Sequence, residues 1–146
     1  MRQPTDLAFS PDGSVVYVVD AGNFRVQAFD ASGTAVRSIG AFGDGDGQFR
    51  RPFGITVDDA GAVYVSDALN DCVQKFAATG EFIGKWGTRG AGDGEMWRPM
   101  GLAIDARKRL IVIDHGNHRA QMFSLDGEWL GMFSAGRAVL KRNLED

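Results

Sequence analysis

The sequence predicts an all-β protein made of three four-stranded antiparallel blades, which together form half of a β-propeller. Two observations support this fold class. A pattern of residues recurs every 47 positions along the 146-residue chain. Within each copy, four short runs rich in β-branched and aromatic residues alternate with turn residues, as expected for strands. A repeat of this length made of four short strands is typical of a propeller blade.

Five residue types keep their register through all three copies. The sets are Asp20, Asn23, Gln27, Phe29 and Gly33 in the first copy, Asp67, Asn70, Gln74, Phe76 and Gly80 in the second, and Asp114, Asn117, Gln121, Phe123 and Gly127 in the third. One inserted residue near Ser14 lengthens the first copy. The repetition predicts a single domain, residues 1–146, with blade 1 at 4–51, blade 2 at 52–98, blade 3 at 99–134 and a C-terminal tail at 135–146.

The middle copy shows the strands most clearly. Its four apolar runs are GITVD, AVYVSD, CVQKFA and EFIGKWG, and turn residues separate them. Strands joined in sequence by short turns predict an antiparallel meander. The imperfect alternation in the third run suggests a small sheet that is buried on both faces. Only the closing stretch AVLKRNLED has a spacing compatible with a helix.

Several short motifs mark the repeats. A proline opens each copy, at Pro4, Pro52 and Pro99, and the second strands end in YVVD, YVSD and IVID. Glycine-rich connectors, GDGQFRRP and GDGEMWRP, precede the second and third copies. On these motifs the chain resembles the NHL-repeat family over residues 4–134. The resemblance implies a propeller, ordinarily closed with six blades, that serves binding, scaffolding or catalysis, because one fold supports many functions.

The copies depart from a perfect repeat in three places. Asp6 stands where the other copies have glycine, Cys72 stands where they have arginine, and the tail lacks the connector pattern. Because Cys72 begins a strand and has no second cysteine to pair with, we expect a small half-buried thiol without a redox role.

Composition restricts the possible environments and partners. Twenty glycines and only four prolines favour many tight turns, and a net charge of −3 gives no general attraction to phosphate backbones or anionic membranes. A single cysteine excludes an intrachain disulfide framework. No run has the length of a signal peptide core or a membrane span, so the sequence favours a cytoplasmic location.

Both histidines lie in the segment DHGNHRAQMF, residues 114–123, three positions apart. This segment is the third copy of DAGNFRVQAF and DALNDCVQKF, so the same turn forms in the other copies without either imidazole. A zinc site needs three or four ligands, and neither another histidine nor a suitable cysteine is available. We therefore interpret His115 and His118 as turn residues and predict no metal site.

The repeated aspartates Asp20, Asp67 and Asp114 each end a second strand beside a turn. A ring of carboxylates around a cation would require them to converge within about 5 Å, which a strand that is second from the centre does not favour. We expect these side chains to accept nearby backbone hydrogen bonds instead.

Chain direction predicts one rim as a binding surface. In a meander, the connectors between blades and the turns between second and third strands fall on the same rim, and this rim is rich in arginine and aromatic residues. Such residues are enriched in binding hot spots, whereas the opposite, acidic rim, which includes Asp58, is predicted to be a solvated face. The predicted ligand-binding residues are Phe24, Phe42, Phe53, Arg89, Trp97, Met100 and His118.

Three function classes are compatible with this fold. A non-catalytic binding or scaffolding module that engages a protein or peptide is favoured, because it requires no missing residue. RNA binding, known for some NHL propellers, is less favoured because acidic residues interrupt the arginines of the connectors. The third class is suggested by a resemblance to peptidyl-hydroxyglycine lyases, whose channel histidines hold a metal; Thr5, Phe53 and Met100 occupy those positions here. We predict no catalytic residue and no cofactor.

Blade counting predicts self-assembly. Propellers close with about four to eight blades, whereas this chain supplies three and would leave an apolar blade face open at each end. Two copies meeting head to tail would form a six-bladed ring with a two-fold axis along the channel. The sequence therefore predicts a homodimer, with residues 135–146 packing across the junction in place of a connector. If the three blades are instead a piece of a longer chain, we still expect the isolated piece to dimerise.

Overall fold

A computed structural model describes residues 1–141, which form thirteen strands in three antiparallel sheets. Blade 1 contains β1 (Pro4–Phe9), β2 (Val15–Asp20), β3 (Arg25–Asp30) and β4 (Ala35–Ile39). Blade 2 contains β5 (Pro52–Val57), β6 (Val63–Asp67), β7 (Cys72–Phe76) and β8 (Phe82–Trp86). Blade 3 contains β9 (Pro99–Ile104), β10 (Arg109–Asp114), β11 (Arg119–Ser124), β12 (Trp129–Ser134) and β13 (Arg137–Leu140). The predicted all-β fold with three meanders is confirmed.

The first strand of each blade lies on the inner side, and the three inner strands β1, β5 and β9 lie next to one another in that order. Hydrogen bonds join the blades there. The Thr5 hydroxyl donates to the Phe53 carbonyl at 2.6 Å, and the Ser66 hydroxyl donates to the Met100 carbonyl. The sheets therefore fan out from a common inner edge, as in part of a propeller.

Each blade has two faces. We call the face on the side of the preceding blade the leading face, and the face on the side of the following blade the trailing face. The trailing face of blade 1 packs on the leading face of blade 2 in one apolar cluster. From blade 1 this cluster contains Tyr17, Val19, Val26, Ala28 and Ile39, and from blade 2 it contains Ile55, Val63, Val65 and Phe76. A second cluster joins the trailing face of blade 2, at Tyr64 and Val73, to the leading face of blade 3, at Leu110, Val112 and Phe123.

The two outermost faces lack such a neighbour among residues 1–141. On the leading face of blade 1, Leu7 and Phe9 are 54% and 59% exposed. On the trailing face of blade 3, Ile113, Phe133 and Leu140 are also exposed. Both faces are apolar because their residues are repeat equivalents of residues that are buried between blades.

The tail differs from the expectation. Arg137 pairs with Ser134 across the turn at Ala135 and Gly136, so β13 runs back along β12 as a fifth strand of blade 3. Gly136 has a φ of 69°, a left-handed conformation that suits glycine in a tight turn. The helical interpretation of AVLKRNLED is wrong over its first residues, since edge pairing with β12 satisfies their backbone groups. The rest of that stretch, residues 142–146, lies outside the described residues.

The helices found in residues 1–141 are two single 3-10 turns, at Ala21–Asn23 and His115–Asn117. Neither of them has the length or the apolar character needed to cross a membrane.

Candidate functional site

The connectors and the turns after the second strands share one rim, which we call the connector rim. Connector 1 (residues 40–51) contacts the turn of blade 2, where Asn70 Nδ2 donates to Gly43 O at 2.9 Å. Connector 2 (residues 87–98) contacts the turn of blade 3, where Gly116 N donates to Trp97 O at 2.7 Å. These contacts agree with the geometry expected from chain direction.

The repeated aspartates hold this rim together. Asp67 accepts hydrogen bonds from the backbone amides of Arg50 and Arg51, both at 2.8 Å, and Asp114 accepts one from Trp97 N at 2.8 Å. All three aspartates are fully buried. The predicted backbone-capping role is confirmed, although the main partners belong to the preceding connector rather than to the adjacent turn alone.

Asp20 shows the electrostatics of these caps. Burial by itself disfavours the carboxylate, but hydrogen bonds from Arg2 N, Asn23 and Arg25 outweigh it. The pKa of Asp20 therefore lies below its ordinary value, and the side chain stays charged at neutral pH.

The structure brings Arg89 and Trp97 of connector 2 together. The Arg89 guanidinium carbon lies 5.8 Å from the centre of the Trp97 ring, a cation–π geometry. The two side chains border a surface pocket of about 340 Å³, which Gly90, Ala91 and Asn117 also line. Both side chains remain exposed to solvent. This pocket has the arginine and aromatic character expected of a binding site.

A second pair of predicted residues meets where the turn of blade 1 contacts connector 1. The Phe24 and Phe42 rings pack edge to face, with centroids 4.8 Å apart. Phe24 is half-buried and also contacts the core between blades 1 and 2, whereas Phe42 is exposed. Phe24 therefore has a packing role, and Phe42 presents an apolar surface to solvent.

His118 and His115 are exposed residues of the blade 3 turn. His118 has a φ of 54°, and its repeat equivalents Phe24 and Asp71 have φ values of 56° and 53°. All three therefore adopt the same left-handed conformation at the end of the turn, whatever their side chain. Within residues 1–141, no group of three His, Cys, Asp or Glu side chains is placed to hold a metal ion.

Phe53 and Met100 lie in strands, whereas the other predicted residues lie in connectors or turns. Both are half-buried at the beginning of inner strands β5 and β9, and their carbonyls join neighbouring blades. The Thr5 hydroxyl is also used in such a contact. These three side chains do not form the imidazole set that the lyase resemblance would require.

Sequence reasoning missed the part played by the repeated asparagines and glutamines. Gln74 is fully buried, and its amide donates to Gln48 O at 2.7 Å and accepts from Gly47 N at 2.8 Å. Asn117 contributes to the Arg89 pocket as well as to the turn. The available signal was a glutamine kept at one strand position in all three copies, since a polar residue on a packed face needs a partner.

Two further expectations need correction. Cys72 was expected to be half-buried but is 2% exposed, and burial raises the pKa of its thiol to about 12. Asp58 was assigned to a solvated acidic rim but is buried, because it caps the turn at Ala60 and Ala62 and accepts a hydrogen bond from the Tyr64 hydroxyl at 2.8 Å.

Solved structures with the same architecture come from proteins of different function. A gluconolactonase from Xanthomonas campestris is 24% identical with a TM-score of 0.59, and the match covers 78% of this chain and 35% of that one. Virginiamycin B lyase from Staphylococcus aureus is 12% identical with a TM-score of 0.68, covering 90% and 41%. The WD40 repeats of RRP9 are 15% identical with a TM-score of 0.74, covering 93% and 40%. At these identities the likeness shows the β-propeller fold alone, and the chain spans less than half of each neighbour.

No curated protein matches the chain. The family model described as "SMP-30/Gluconolactonase/LRE-like region" matches residues 1–91, more than half of the sequence. The family match supports the predicted relationship to repeat propellers. The more specific assignment to the NHL-repeat family remains a resemblance. The chain belongs to the SMP-30/gluconolactonase/LRE-like family of β-propellers.

Proposed function

We propose that the chain is a non-catalytic β-propeller module that pairs with a second copy to close a six-bladed ring and binds a protein or peptide on its connector rim. The observation that carries the assembly is the contrast between equivalent faces. Ile55, on the leading face of blade 2, is 3% exposed, whereas its equivalent Leu7 on blade 1 is 54% exposed.

A second copy is the occupant favoured for the open faces. The apolar residues on the leading face of blade 1 are repeat equivalents of residues that blades 2 and 3 bury against the trailing face of the preceding blade. The chain also has one uncovered trailing face, on blade 3, where β13 adds Leu140 to the apolar surface. Packing these two faces together would repeat the contact already made twice within the chain and would remove both from water.

Light scattering during size exclusion tests the assembly. We expect twice the 15.8 kDa mass of one chain at micromolar concentration. Leu7→Asp combined with Phe9→Asp should give a monomer, because both charges would enter the interface. Leu69→Asp changes another exposed apolar side chain, in the turn of blade 2, and should leave the mass unchanged. A wild-type monomer would disprove the assembly.

The Arg89 and Trp97 pocket supports peptide binding. No carboxylate within residues 1–141 forms an ion pair with Arg89, so its guanidinium is available to an acidic group. The exposed Trp97 ring next to it suits an apolar side chain. The chemistry favours a ligand with a carboxylate close to an aromatic or aliphatic residue.

A displayed library of linear peptides tests this site. Peptides selected on the wild-type chain should be rich in acidic residues next to apolar ones. Their binding should weaken at least about tenfold with Arg89→Ala or Trp97→Ala. Arg107→Ala, at an exposed arginine on the opposite rim, is the matched control and should have no effect. Equal binding of the peptides to all variants would place the site elsewhere. In a separate measurement with single-stranded RNA, binding that falls steeply with added salt would favour the RNA-binding class instead.

The family match gives a second candidate, hydrolysis of a lactone, because the description of the family model includes gluconolactonase and one structural neighbour is a gluconolactonase. Release of acid from glucono-δ-lactone, followed with divalent cations and with a chelator, tests it. Turnover above the spontaneous rate would overturn the non-catalytic proposal, and its loss with the chelator would show that it depends on a metal ion.

A further inference from the structure

The second strands of blades 1 and 2 each contain a tyrosine at the same repeat position. Tyr17 and Tyr64 are 2% and 0% exposed, so each hydroxyl needs hydrogen-bond partners inside the protein. Each hydroxyl faces a carbonyl at one repeat position of the following blade, which is Ala78 for Tyr17 and Leu125 for Tyr64. The surroundings of the two tyrosines can therefore be compared group by group.

Blade 2 supplies both a carboxylate and a cation to its tyrosine. The Tyr64 hydroxyl donates to Asp58 Oδ2 at 2.8 Å, and Lys75 Nζ lies 5.3 Å from the centre of the tyrosine ring. The same Lys75 Nζ donates to the Leu125 carbonyl at 2.9 Å. The hydroxyl and the carbonyl thus both have partners within the chain.

Blade 1 has a cation at this place but no carboxylate for its tyrosine. Ser10 replaces the aspartate, and Ala28 replaces the lysine. Arg37 of β4 provides the cation, because its Nη1 donates to the Ala78 carbonyl and, at 3.2 Å, to the Tyr17 hydroxyl. Within residues 1–141 the one acceptor for the Tyr17 hydroxyl is the Ala78 carbonyl at 3.5 Å, which exceeds an ordinary O–H···O distance.

The Arg37 guanidinium also lacks a counter-charge. No carboxylate within residues 1–141 forms an ion pair with it, and Nη1 is its one nitrogen that donates hydrogen bonds there. The side chain is half-buried, so its charge is only partly screened by water. Because arginine binds a carboxylate through two parallel N–H groups, this guanidinium suits a ligand that supplies one.

These groups line a pocket of about 380 Å³ between blades 1 and 2, on the rim opposite the connector rim. The turn between β1 and β2 forms one wall, and the residue inserted near Ser14 belongs to this turn. Small residues of blade 2 form the other wall, namely Ala60, Gly61 and Ala78. The pocket has room for a ligand of amino acid size at the place where blade 2 has its own carboxylate.

Asp12 adds a negative charge to the same pocket. Its Oδ1 accepts hydrogen bonds from Ser14 N at 3.0 Å and from the hydroxyls of Ser14 and Ser10 at 2.7 and 2.8 Å. These hydrogen bonds, that of Ser14 N above all, lower the pKa of Asp12 to about 2. Its Oδ2 accepts none within residues 1–141. The pocket therefore presents a carboxylate as well as a guanidinium.

We propose that this pocket binds a free amino acid, with its carboxylate between Arg37 and the Tyr17 hydroxyl and its ammonium group at Asp12. The ligand carboxylate would take the place that Asp58 has beside Tyr64. An aliphatic side chain fits best, because Pro11, Val15 and Ala60 give the pocket an apolar wall.

This site is independent of the ring closure and of the Arg89 pocket. It lies between two blades of one chain, whereas the ring closure uses the leading face of blade 1 and the trailing face of blade 3. The Arg89 pocket lies on the connector rim. Failure of either earlier proposal therefore leaves this one to be tested by itself.

A chemical-shift titration of the ¹⁵N-labelled chain with L-leucine tests the site. We expect saturable shifts of amides in residues 10–17 and 60–62, with a dissociation constant of about 1 mM or lower. The analogue without the ammonium group, 4-methylpentanoate, should bind about threefold more weakly. The analogue without the carboxylate, 3-methylbutylamine, should show no saturation. No saturable shift with L-leucine, equal binding of all three probes, or shifts confined to residues 87–98 would overturn the proposal.

Two substitutions remove the carboxylate site in different ways. Tyr17→Phe deletes only the hydroxyl and should weaken L-leucine binding at least about tenfold, because a hydrogen bond to a charged group is lost. Ser10→Asp introduces the aspartate that blade 2 has at this position and should abolish binding, because its carboxylate would occupy the ligand's place. Binding of L-leucine that is unchanged in both variants would contradict the proposal.

Two arginine variants serve as matched controls. Arg107→Ala removes an exposed arginine from the same rim, and Arg89→Ala removes the arginine of the connector rim pocket. Both should bind L-leucine as the wild type does, whereas Arg37→Gln should lose binding. A thermal melt verifies that each variant is folded. Loss of binding with Arg89→Ala but not with Arg37→Gln would assign the amino acid to the other pocket and overturn the proposal.

Discussion

Blades 1 and 2 have nearly the same pattern of residues but experience different environments. Blade 2 lies between two neighbours, and residues on both of its faces are completely buried. In blade 1 the trailing face is buried and the leading face is exposed, so that even its opening proline, Pro4, is exposed where Pro52 is buried. Burial in this fold is therefore set by the next blade rather than by the blade's own sequence. Matched substitutions at equivalent positions can measure that difference.

The largest effect is expected at the repeated phenylalanine. Phe76→Ala should reduce the free energy of unfolding by about 3–5 kcal/mol, because Phe76 is completely buried between blades 1 and 2. The equivalent Phe29 is half-buried on the open face, so Phe29→Ala should cost less than half as much in a single chain. Urea denaturation of both variants at several protein concentrations provides the measurement. Equal losses of unfolding free energy at low protein concentration would mean that the leading face of blade 1 is already covered in a single chain.

A smaller effect is expected at the arginine that pairs with the capping aspartate. The Arg119 side chain is 7% exposed and binds Asp114 as well as connector 2, whereas Arg25 is 32% exposed and binds only Asp20 among residues 1–141. Arg119→Ala should cost about 3 kcal/mol because it removes an almost buried cation from Asp114 together with two hydrogen bonds to connector 2. Arg25→Ala should cost about 1 kcal/mol or less. The comparison fails if both losses, measured by urea denaturation, are the same.

These comparisons show how much the sequence reveals. The 47-residue period was sufficient for the fold, because Asp and Asn at fixed positions form the same hydrogen-bonded turn in each blade, and Gln binds the connector in blades 2 and 3. It also placed Phe24, Phe42, Arg89 and Trp97 on one rim. It did not show that the carbonyls of Phe53 and Met100 join neighbouring blades, since those contacts are made by strands that are far apart in sequence.

Other features had no clear signal in the sequence. The burial of Cys72 depends on connector 1 and the neighbouring strands, and these are not local in sequence. The fifth strand of blade 3 was missed because AVLKRNLED is a weak pattern, and only pairing with β12 decides its conformation. In both cases tertiary contacts override local preference.

Acid should weaken the fold through the capping carboxylate of Asp20. The pKa of Asp20 is lower in the folded chain than its ordinary value, so the stability that its charge contributes is present above about pH 4 and is lost as pH falls through the folded pKa. Asp20→Asn should therefore be less stable than wild type at pH 6, with a smaller difference at pH 3. Asp105, whose pKa is also lowered, keeps part of the acid dependence in the variant. Urea denaturation at both pH values checks this, and a difference independent of pH would contradict it.

The smallest effect is expected at the left-handed residue of the blade 3 turn. His118 is exposed, has a φ of 54°, and its side chain makes no hydrogen bond within residues 1–141. His118→Asn should leave the free energy of unfolding within about 0.5 kcal/mol of wild type, because asparagine adopts this conformation readily. The equivalent change in blade 1, Phe24→Asn, also removes the contact with Phe42 and part of the core, so it should cost about 1–2 kcal/mol. Urea denaturation of the two variants distinguishes a turn held by its backbone from one held by its side chain. A loss at His118 as large as that at Phe24 would show that the imidazole has a structural partner, and the interpretation of His118 as a turn residue alone would then be wrong.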